Sequence, residues 1–392
     1  MRKSTQAIHL PYRRRDAYDA LSMPVYNAVA YEFSDARTMA DAFCERIDAP
    51  DYSRCENPTV DNFEDRVRAL TDAYSVSALN SGMAAISNTM LALTSQGKNV
   101  VSSTHMFGNT FDLLNRSLRK FGVGLHTTDL TDIEQVKAAV DDNTCCIFVE
   151  IITNPQMEVA DLTALACVAH ERHIPLVADT TTIPFTMFSV RSLGVDIEVV
   201  SSTKYISGGA TSLGGLIIDY GTDYTKGFTQ AIKSEMLFNF GAYMTPQVAF
   251  LQTMGLETLD ARYRVQSANA LQLARRLRGL NSIRAVNYVG LEDNPFYQLA
   301  QRQFGKTAGA MVCIDLDNEK ACFRFLDRLK LVCRATNLFD NRTLAIHPYS
   351  TIFGNFTPEE KAGMDVLDTT IRLSAGLEDV DDIFEDIRQA LS

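Results

Sequence analysis

Between residues 75 and 220 short apolar runs alternate with amphipathic stretches, and this alternation restricts the fold more than any other property of the chain. Strands are expected at 76–79, 100–103, 124–127, 145–151, 176–178, 197–201 and 216–219, with helices at 83–94, 110–120, 133–139 and 162–171 filling the gaps. Such βα alternation gives a mostly parallel sheet covered on both faces, with ligands bound beyond the carboxyl ends of its strands. The fold class is α/β.

A chain of 392 residues, 46% hydrophobic and 22% charged, can bury a large core and is long for one domain. The pattern changes after residue 245. A long helical stretch is expected over 246–280, then strands near 282–288, 310–315 and 370–373 mixed with helices at 319–329 and 381–391. This reads as a smaller C-terminal α+β domain over 246–392, following a large α/β domain over 59–245. Residues 1–58 form an N-terminal arm. Its first 33 residues show little periodicity and include Arg13-Arg14-Arg15, Ser34 can cap a helix to about 47, and Thr59 can cap a helix over 60–73. An arm without its own core lies on something else, here a neighbouring subunit.

The net charge of −11 argues against a nucleic-acid partner, and no run of about 18 apolar residues marks a membrane span. No apolar signal core follows the first residues, so a cytoplasmic protein is expected. Eight cysteines without a C-x-x-C pair read as reduced core thiols. His170 and His173 lack a matching ligand pair and read as solvated, so no metal is expected.

The chemistry centres on Ser201-Ser202-Thr203-Lys204-Tyr205-Ile206-Ser207-Gly208-Gly209, where a lysine stands between a buried strand and a loop of glycines and hydroxyls. Desolvation lowers an ammonium pKa, and a neutral amine attacks a carbonyl to form an imine. Hydroxyls at Ser201 and Thr203 beside glycine backbone suit a phosphate. Lysine imine and phosphate together point to pyridoxal phosphate. The stretch from Gly209 lacks the lysine of a P-loop, and no G-x-G-x-x-G follows a strand. Two further groups sit at strand ends. Ser81-Gly82-Met83 opens a helix whose free N–H groups form an anion site, and Asp179 presents a carboxylate that can keep a pyridine nitrogen protonated. Tyr52 and Arg54 can both reach an anion. Arg372 alternates with apolar neighbours and should point away from the side they bury, either to bind a carboxylate or to form a structural ion pair.

The segments 52–59 (YSRCENPT), 81–83 (SGM), 177–181, 201–209 and 372–379 (RLSAGLED), in this order, resemble the Cys/Met-metabolism family of pyridoxal-phosphate enzymes. That family includes cystathionine γ-synthase, cystathionine lyases, methionine γ-lyase and O-acetylhomoserine sulfhydrylase, and the resemblance runs from Thr5 to the last helix. It implies fold type I, with Lys204 carrying the cofactor and moving protons, and Asp179 on the pyridinium nitrogen. Ser81, Gly82, Met83, Ser201 and Thr203 would hold the phosphate, joined by Tyr52 and Arg54 of a neighbouring subunit. Asn154 would lie near the ring hydroxyl, Arg372 would bind the substrate carboxylate, and Thr343 stands where the family often has serine. Shared sites imply a homodimer at least, which the family commonly pairs into a homotetramer.

The departures bear on the reaction. Phe107 replaces the family's ring-stacking tyrosine, Asn109 stands where glycine or cysteine is usual, and Thr180 replaces an asparagine. Phenylalanine stacks but moves no proton. An acyl ester leaves without a proton donor more readily than a thiolate does. The reading is therefore an O-acylhomoserine sulfhydrylase, which transfers an amino-acid fragment to sulfide or a small thiol; Ile346-His347-Pro348 also resembles that branch. A methionine γ-lyase, a cystathionine lyase or a cystathionine γ-synthase is the alternative, and a non-catalytic scaffold is disfavoured by Lys204.

Overall fold

A computed structural model describes residues 1–10 and 18–392, so Arg13-Arg14-Arg15 lie outside the described residues. Seven strands form the larger sheet: β1 (Ser75–Leu79), β2 (Asn99–Ser102), β3 (Gly124–Thr127), β4 (Thr144–Glu150), β5 (Leu176–Asp179), β6 (Ile197–Val200) and β7 (Gly215–Asp219). Their spatial order is β1-β7-β6-β5-β4-β2-β3. The pairings from β6 through β3 are parallel, while β7 runs antiparallel to both of its neighbours. Alternate residues of β4 enter opposite cores, Ile147 and Val149 in one and Cys146 and Phe148 in the other. The sheet is thus covered on both faces, which is why its strands read as unbroken apolar runs.

The helices between these strands start where short polar side chains cap them. Ser81 Oγ accepts from the Ala84 amide at the head of helix Gly82–Leu93, and Asp132 and Asp161 cap Ile133–Ala139 and Leu162–Glu171 in the same way. The smaller sheet contains β8 (Ala285–Asn287), β9 (Met311–Asp315), β10 (Cys333–Arg334), β11 (Leu344–Ile346) and β12 (Thr370–Ser374), in the order β10-β11-β12-β9-β8. Among the described residues no helix is long and apolar enough to cross a membrane.

Several expectations need correction. The first residues are not without structure: Lys3–His9 is a helix, tied to its own chain by Arg66 Nη1 to Ala7 O at 2.6 Å and Lys3 Nζ to Phe185 O at 2.7 Å. The next helix is Ala36–Phe43 and its cap is Asp35 rather than Ser34. Asn57, not Thr59, caps Pro58–Thr71, because Pro58 already fits the first helical turn; the Thr59 hydroxyl donates to Pro24 O instead. The expected helix at 110–120 starts at Gly108 and loosens into a π-turn and a 3₁₀ turn. The stretch 246–280 is two helices, Pro246–Glu257 and Leu259–Leu277, broken at Thr258. His173 is exposed as expected, whereas His170 is only partly so: its Nε2 lies 2.9 Å from Asp196 Oδ2 and its ring stacks on Tyr224 at 4.0 Å. Of the thiols, Cys146, Cys313 and Cys322 are buried, whereas Cys44 and Cys167 are exposed.

The break at Thr258 lets two helices grip the loop that carries Lys204. Arg262, on the second, donates to Tyr205 O at 2.7 Å and to Gly255 O at 2.6 Å. Gly255, on the first, lies so close that a Cβ there would meet Ile206 O at 1.9 Å. Gly255→Ala should therefore cost about 1–3 kcal/mol in urea unfolding by overpacking. Gly363→Ala, where a Cβ meets open space, should be neutral or stabilising by up to about 1 kcal/mol.

Candidate active site

Lys204 stands in the turn that leaves β6, with its amide bonded to Ser201 O at 3.1 Å. Its half-buried side chain donates from Nζ to Asn337 Oδ1 at 2.9 Å. Burial first, and the Arg372 guanidinium second, lower the amine to about 8 against the pull of the Asp179 carboxylate. The neutral form is thereby accessible near physiological pH. The next residue fastens this turn to the smaller sheet domain, since the Tyr205 ring stacks on Phe339 at 4.0 Å and meets Tyr263 edge-on at 5.0 Å.

Asp179 ends β5, directly in register with Glu150 at the end of β4. Two buried carboxyl groups side by side do not both ionise. Burial raises both, but Asp179 accepts the Thr181 amide at 2.9 Å and feels Lys204, whereas Glu150 feels chiefly Asp179. Both are raised, and of the two Asp179 is the one that a cation, Lys204, draws toward the ionised form. Glu150 Oε1 accepts the Phe107 amide at 2.7 Å and so fixes the backbone at the head of helix Gly108–Asp112. Behind this pair lies a second buried carboxylate, Glu198, which bonds to the hydroxyls of Thr180 and Tyr220.

The loop 81–83 and the turn after β6 are in contact: a Cβ on Gly82 would lie 2.6 Å from Ser201 Cβ. Ser81 Oγ is spent on the helix cap, which leaves the Gly82 and Met83 amides without acceptors within the helix. The Ser201 amide bonds to Thr181 Oγ1 while the Ser201 hydroxyl has no partner among the described residues. Thr203 differs, because its hydroxyl donates to Gly214 O at 3.1 Å and accepts the Gly214 amide at 3.0 Å. Tyr52 and Arg54 do not hydrogen-bond to this cluster; the Arg54 guanidinium lies 5.1 Å from the Tyr52 ring centre, and its Nε is buried without a partner.

On the opposite side Arg372, in β12, is 2% exposed. The whole strand is covered on both faces, so Arg372 is buried with its neighbours rather than turned away from their buried side. Its Nη1 donates to Asn154 Oδ1 at 3.1 Å and its Nη2 to Thr336 O at 3.1 Å, while Nε has no partner. No carboxylate pairs with it among the described residues, so the structural ion pair is absent. Thr343 is fully buried, with its hydroxyl donating to Glu378 Oε2 at 2.8 Å and accepting from the Gly376 amide. Asn337 and Glu150 were not expected here. The first lies in a polar loop without periodicity, and the second reads as the last residue of an apolar strand; only strand register brings Glu150 beside Asp179.

The cradle implies a measurable result. Gly82→Ala should weaken binding of pyridoxal phosphate by about tenfold or more, since the added methyl meets Ser201 where the phosphate must approach. Spectrophotometric titration of the cofactor-free chain checks this, with pyridoxal lacking the phosphate as the control that should lose much less.

A profile of the Cys/Met metabolism PLP-dependent enzyme family matches residues 4–392. The O-succinylhomoserine sulfhydrylase of Pseudomonas aeruginosa is 34% identical over 94% of this chain and 90% of its own length. The L-methionine gamma-lyase of Pseudomonas putida is 33% identical over 99% and 96%. A Campylobacter jejuni structure assigned as an O-acetylhomoserine (thiol)-lyase superposes over the full length of both chains with a TM-score of 0.97 at 30% identity, and holds N'-pyridoxyl-lysine-5'-monophosphate. The residues present fit that group, with an amine of lowered pKa, free helix amides against an unpartnered Ser201 hydroxyl, the Asp179 carboxyl at the end of β5 and an orphaned Arg372 Nε. This chain is a pyridoxal-phosphate-dependent enzyme of the Cys/Met metabolism family.

Proposed function

We propose that the enzyme performs γ-replacement on an O-acylhomoserine, exchanging the acyloxy group for sulfide or a small thiol to form homocysteine or a related thioether. Phe107 carries this reading. Its amide is anchored by Glu150, and by the family resemblance its ring takes the place of the stacking tyrosine without a hydroxyl to protonate a departing thiolate. A carboxylate leaves without such help. Identity of about one third to sulfhydrylases supports this reading, and methionine gamma-lyases of equal identity keep C–S elimination as the second reading.

In this reading pyridoxal phosphate, when bound, draws off the charge that develops on the substrate Cα. Asp179 would hold the proton on the ring nitrogen, and Asn154, whose Oδ1 accepts from Arg372, would face the ring hydroxyl. Arg372 binds the substrate carboxylate through its unpaired Nε and one Nη, a fork suited to side-on contact. Lys204 Nζ would take the Cα proton, pass it on to the cofactor carbon next to the imine nitrogen and, neutral again, take a Cβ proton. The acyloxy group would then leave as a carboxylate, the thiolate would add at Cγ, and Lys204 would return the protons to Cβ and Cα. The Gly82 and Met83 amides, Ser201 and Thr203 hold the phosphate; Thr203 must release Gly214 to do so. Thr343 supports the carboxylate side through Glu378 rather than by direct contact.

The reading also carries an assembly. Phe43, Ile47 and Phe238 are exposed at a cavity of about 280 Å³ that also holds Glu45, Arg46, Asp48 and Lys233, a mixed surface that a second copy would cover. A homodimer, paired into a tetramer, would bring Tyr52 and Arg54 of one copy to the phosphate of the other. Eight unpaired cysteines suit a cytoplasmic setting.

Purified enzyme given O-acetylhomoserine or O-succinylhomoserine with sulfide should form homocysteine, and given methionine should form little 2-oxobutanoate. The opposite outcome exchanges the two readings. Phe107→Tyr should raise methionine elimination by about 10²-fold or more while changing ester replacement far less, because the restored hydroxyl assists only the poorer leaving group.

A further inference from the structure

Asn337 is the residue that Lys204 Nζ touches, and an amide can present either its oxygen or its nitrogen to a lysine. Which end it presents is decided on its far side. Asn337 Nδ2 donates to Asp340 Oδ2 at 3.3 Å, and the other oxygen of that carboxylate accepts the Arg342 amide at 3.0 Å and Arg342 Nη1 at 3.3 Å. Asp340 is 3% exposed, and its carbonyl is bonded to Gln266 Nε2 at 2.7 Å, so the carboxylate does not wander. A carboxylate only accepts, hence the NH₂ end of Asn337 must face Asp340 and the oxygen must face Lys204.

We propose that Asp340 is a positioning residue for Lys204, acting through Asn337 to hold an amide oxygen against the lysine nitrogen whenever that nitrogen takes up a proton. An amide oxygen bonds best to the ammonium, so the Asp340–Asn337 pair favours the protonated lysine. It thereby works against burial and against Arg372 of β12, on the same side as Asp179 of β5, with Glu150 of β4 in register beyond Asp179. Arg342 faces Asp340 from the same loop, 64% exposed, and balances part of its charge. The lysine is thus given a resting place for the proton it has removed. Without Asp340 the amide is free to turn, and its NH₂ end then bonds to the neutral amine and stabilises the wrong protonation state. This role rests on the reading of Lys204 as the proton carrier.

Asp340→Asn tests it with the same shape and no fixed acceptor; Asp340→Ser, which still accepts the Arg342 amide, stands in if the first variant does not fold. The full chain freed of cofactor is labelled with acetic anhydride across pH, and the midpoint for acetylation at position 204 is read by peptide mapping. Asp340→Asn should lower that midpoint by about one pH unit, and Asn337→Ala should do the same. The double variant should move it no further, because both act through one bond. In the loaded enzyme kcat should fall by about tenfold at unchanged KM for the ester. An unmoved midpoint in the Asp340 variants, or single shifts that add in the double variant, overturns the proposal. Borohydride reduction of the unsubstituted holoenzyme separates the two levels. If position 204 is not labelled the functional reading itself fails, whereas a labelled Lys204 with an unmoved midpoint removes only Asp340 from the scheme.

Discussion

The desolvation of one amine at the rim of a parallel sheet organises this molecule. Lys204 leaves β6 at a point where water is largely excluded, and its charge is then set by groups from two separate sheets, Asp179 from the larger and Arg372 from the smaller. Neither sheet domain contains the site alone. The stack of Tyr205 on Phe339 and the grip of Arg262 on the Tyr205 carbonyl bind the lysine turn to elements far along the chain. Packing contacts of this kind contribute both stability and geometry, because a shift of the turn would change the burial of the amine and with it the pKa that the chemistry needs.

Carboxyl groups along the strand ends show the same economy of arrangement. Glu150 and Asp179 are neighbours by register; burial raises both, Asp179 raises Glu150 further, and Lys204 draws Asp179 back down. Glu198, one strand over, is raised by burial as well, and the hydroxyls of Thr180 and Tyr220 offset part of that shift. Three acids on three adjacent strands are all pushed up by desolvation, and their different partners offset that shift to different extents.

Much of this was legible in the sequence, because the relevant signals are local. Apolar runs located the seven strands of the large sheet, and a lysine at the end of one of them located the reactive amine. Helix caps were harder, since Asn57 and Thr59 both satisfy the pattern and Pro58 decides between them through its fixed φ. The rest depended on contacts that no window of sequence contains. Arg372 looked like an outward residue on an alternating strand, yet β12 lies between β9 and β11 with both of its faces covered. Asn337 and Asp340 sit in a loop without periodicity, and only the approach of that loop to Gly208, through the Asn341 amide at 2.8 Å, brings them to the lysine. Thr343 matched a family position, but its hydroxyl faces Glu378 and Gly376.

The choice of reaction narrows to one side chain because the backbone beneath it is fixed independently. Glu150 holds the Phe107 amide, and helix Gly108–Asp112 begins there whether the ring carries a hydroxyl or not. Replacing tyrosine by phenylalanine at such a position removes a proton donor while leaving the stacking surface in place. The energetic consequence falls on the leaving group alone: an ester oxygen departs as a stable carboxylate, and a thiolate departs with its charge uncompensated. In the proposed reading, a scaffold shared by replacement and elimination enzymes is tilted toward replacement without any change in fold, since the distinction lies in a single hydroxyl that phenylalanine lacks.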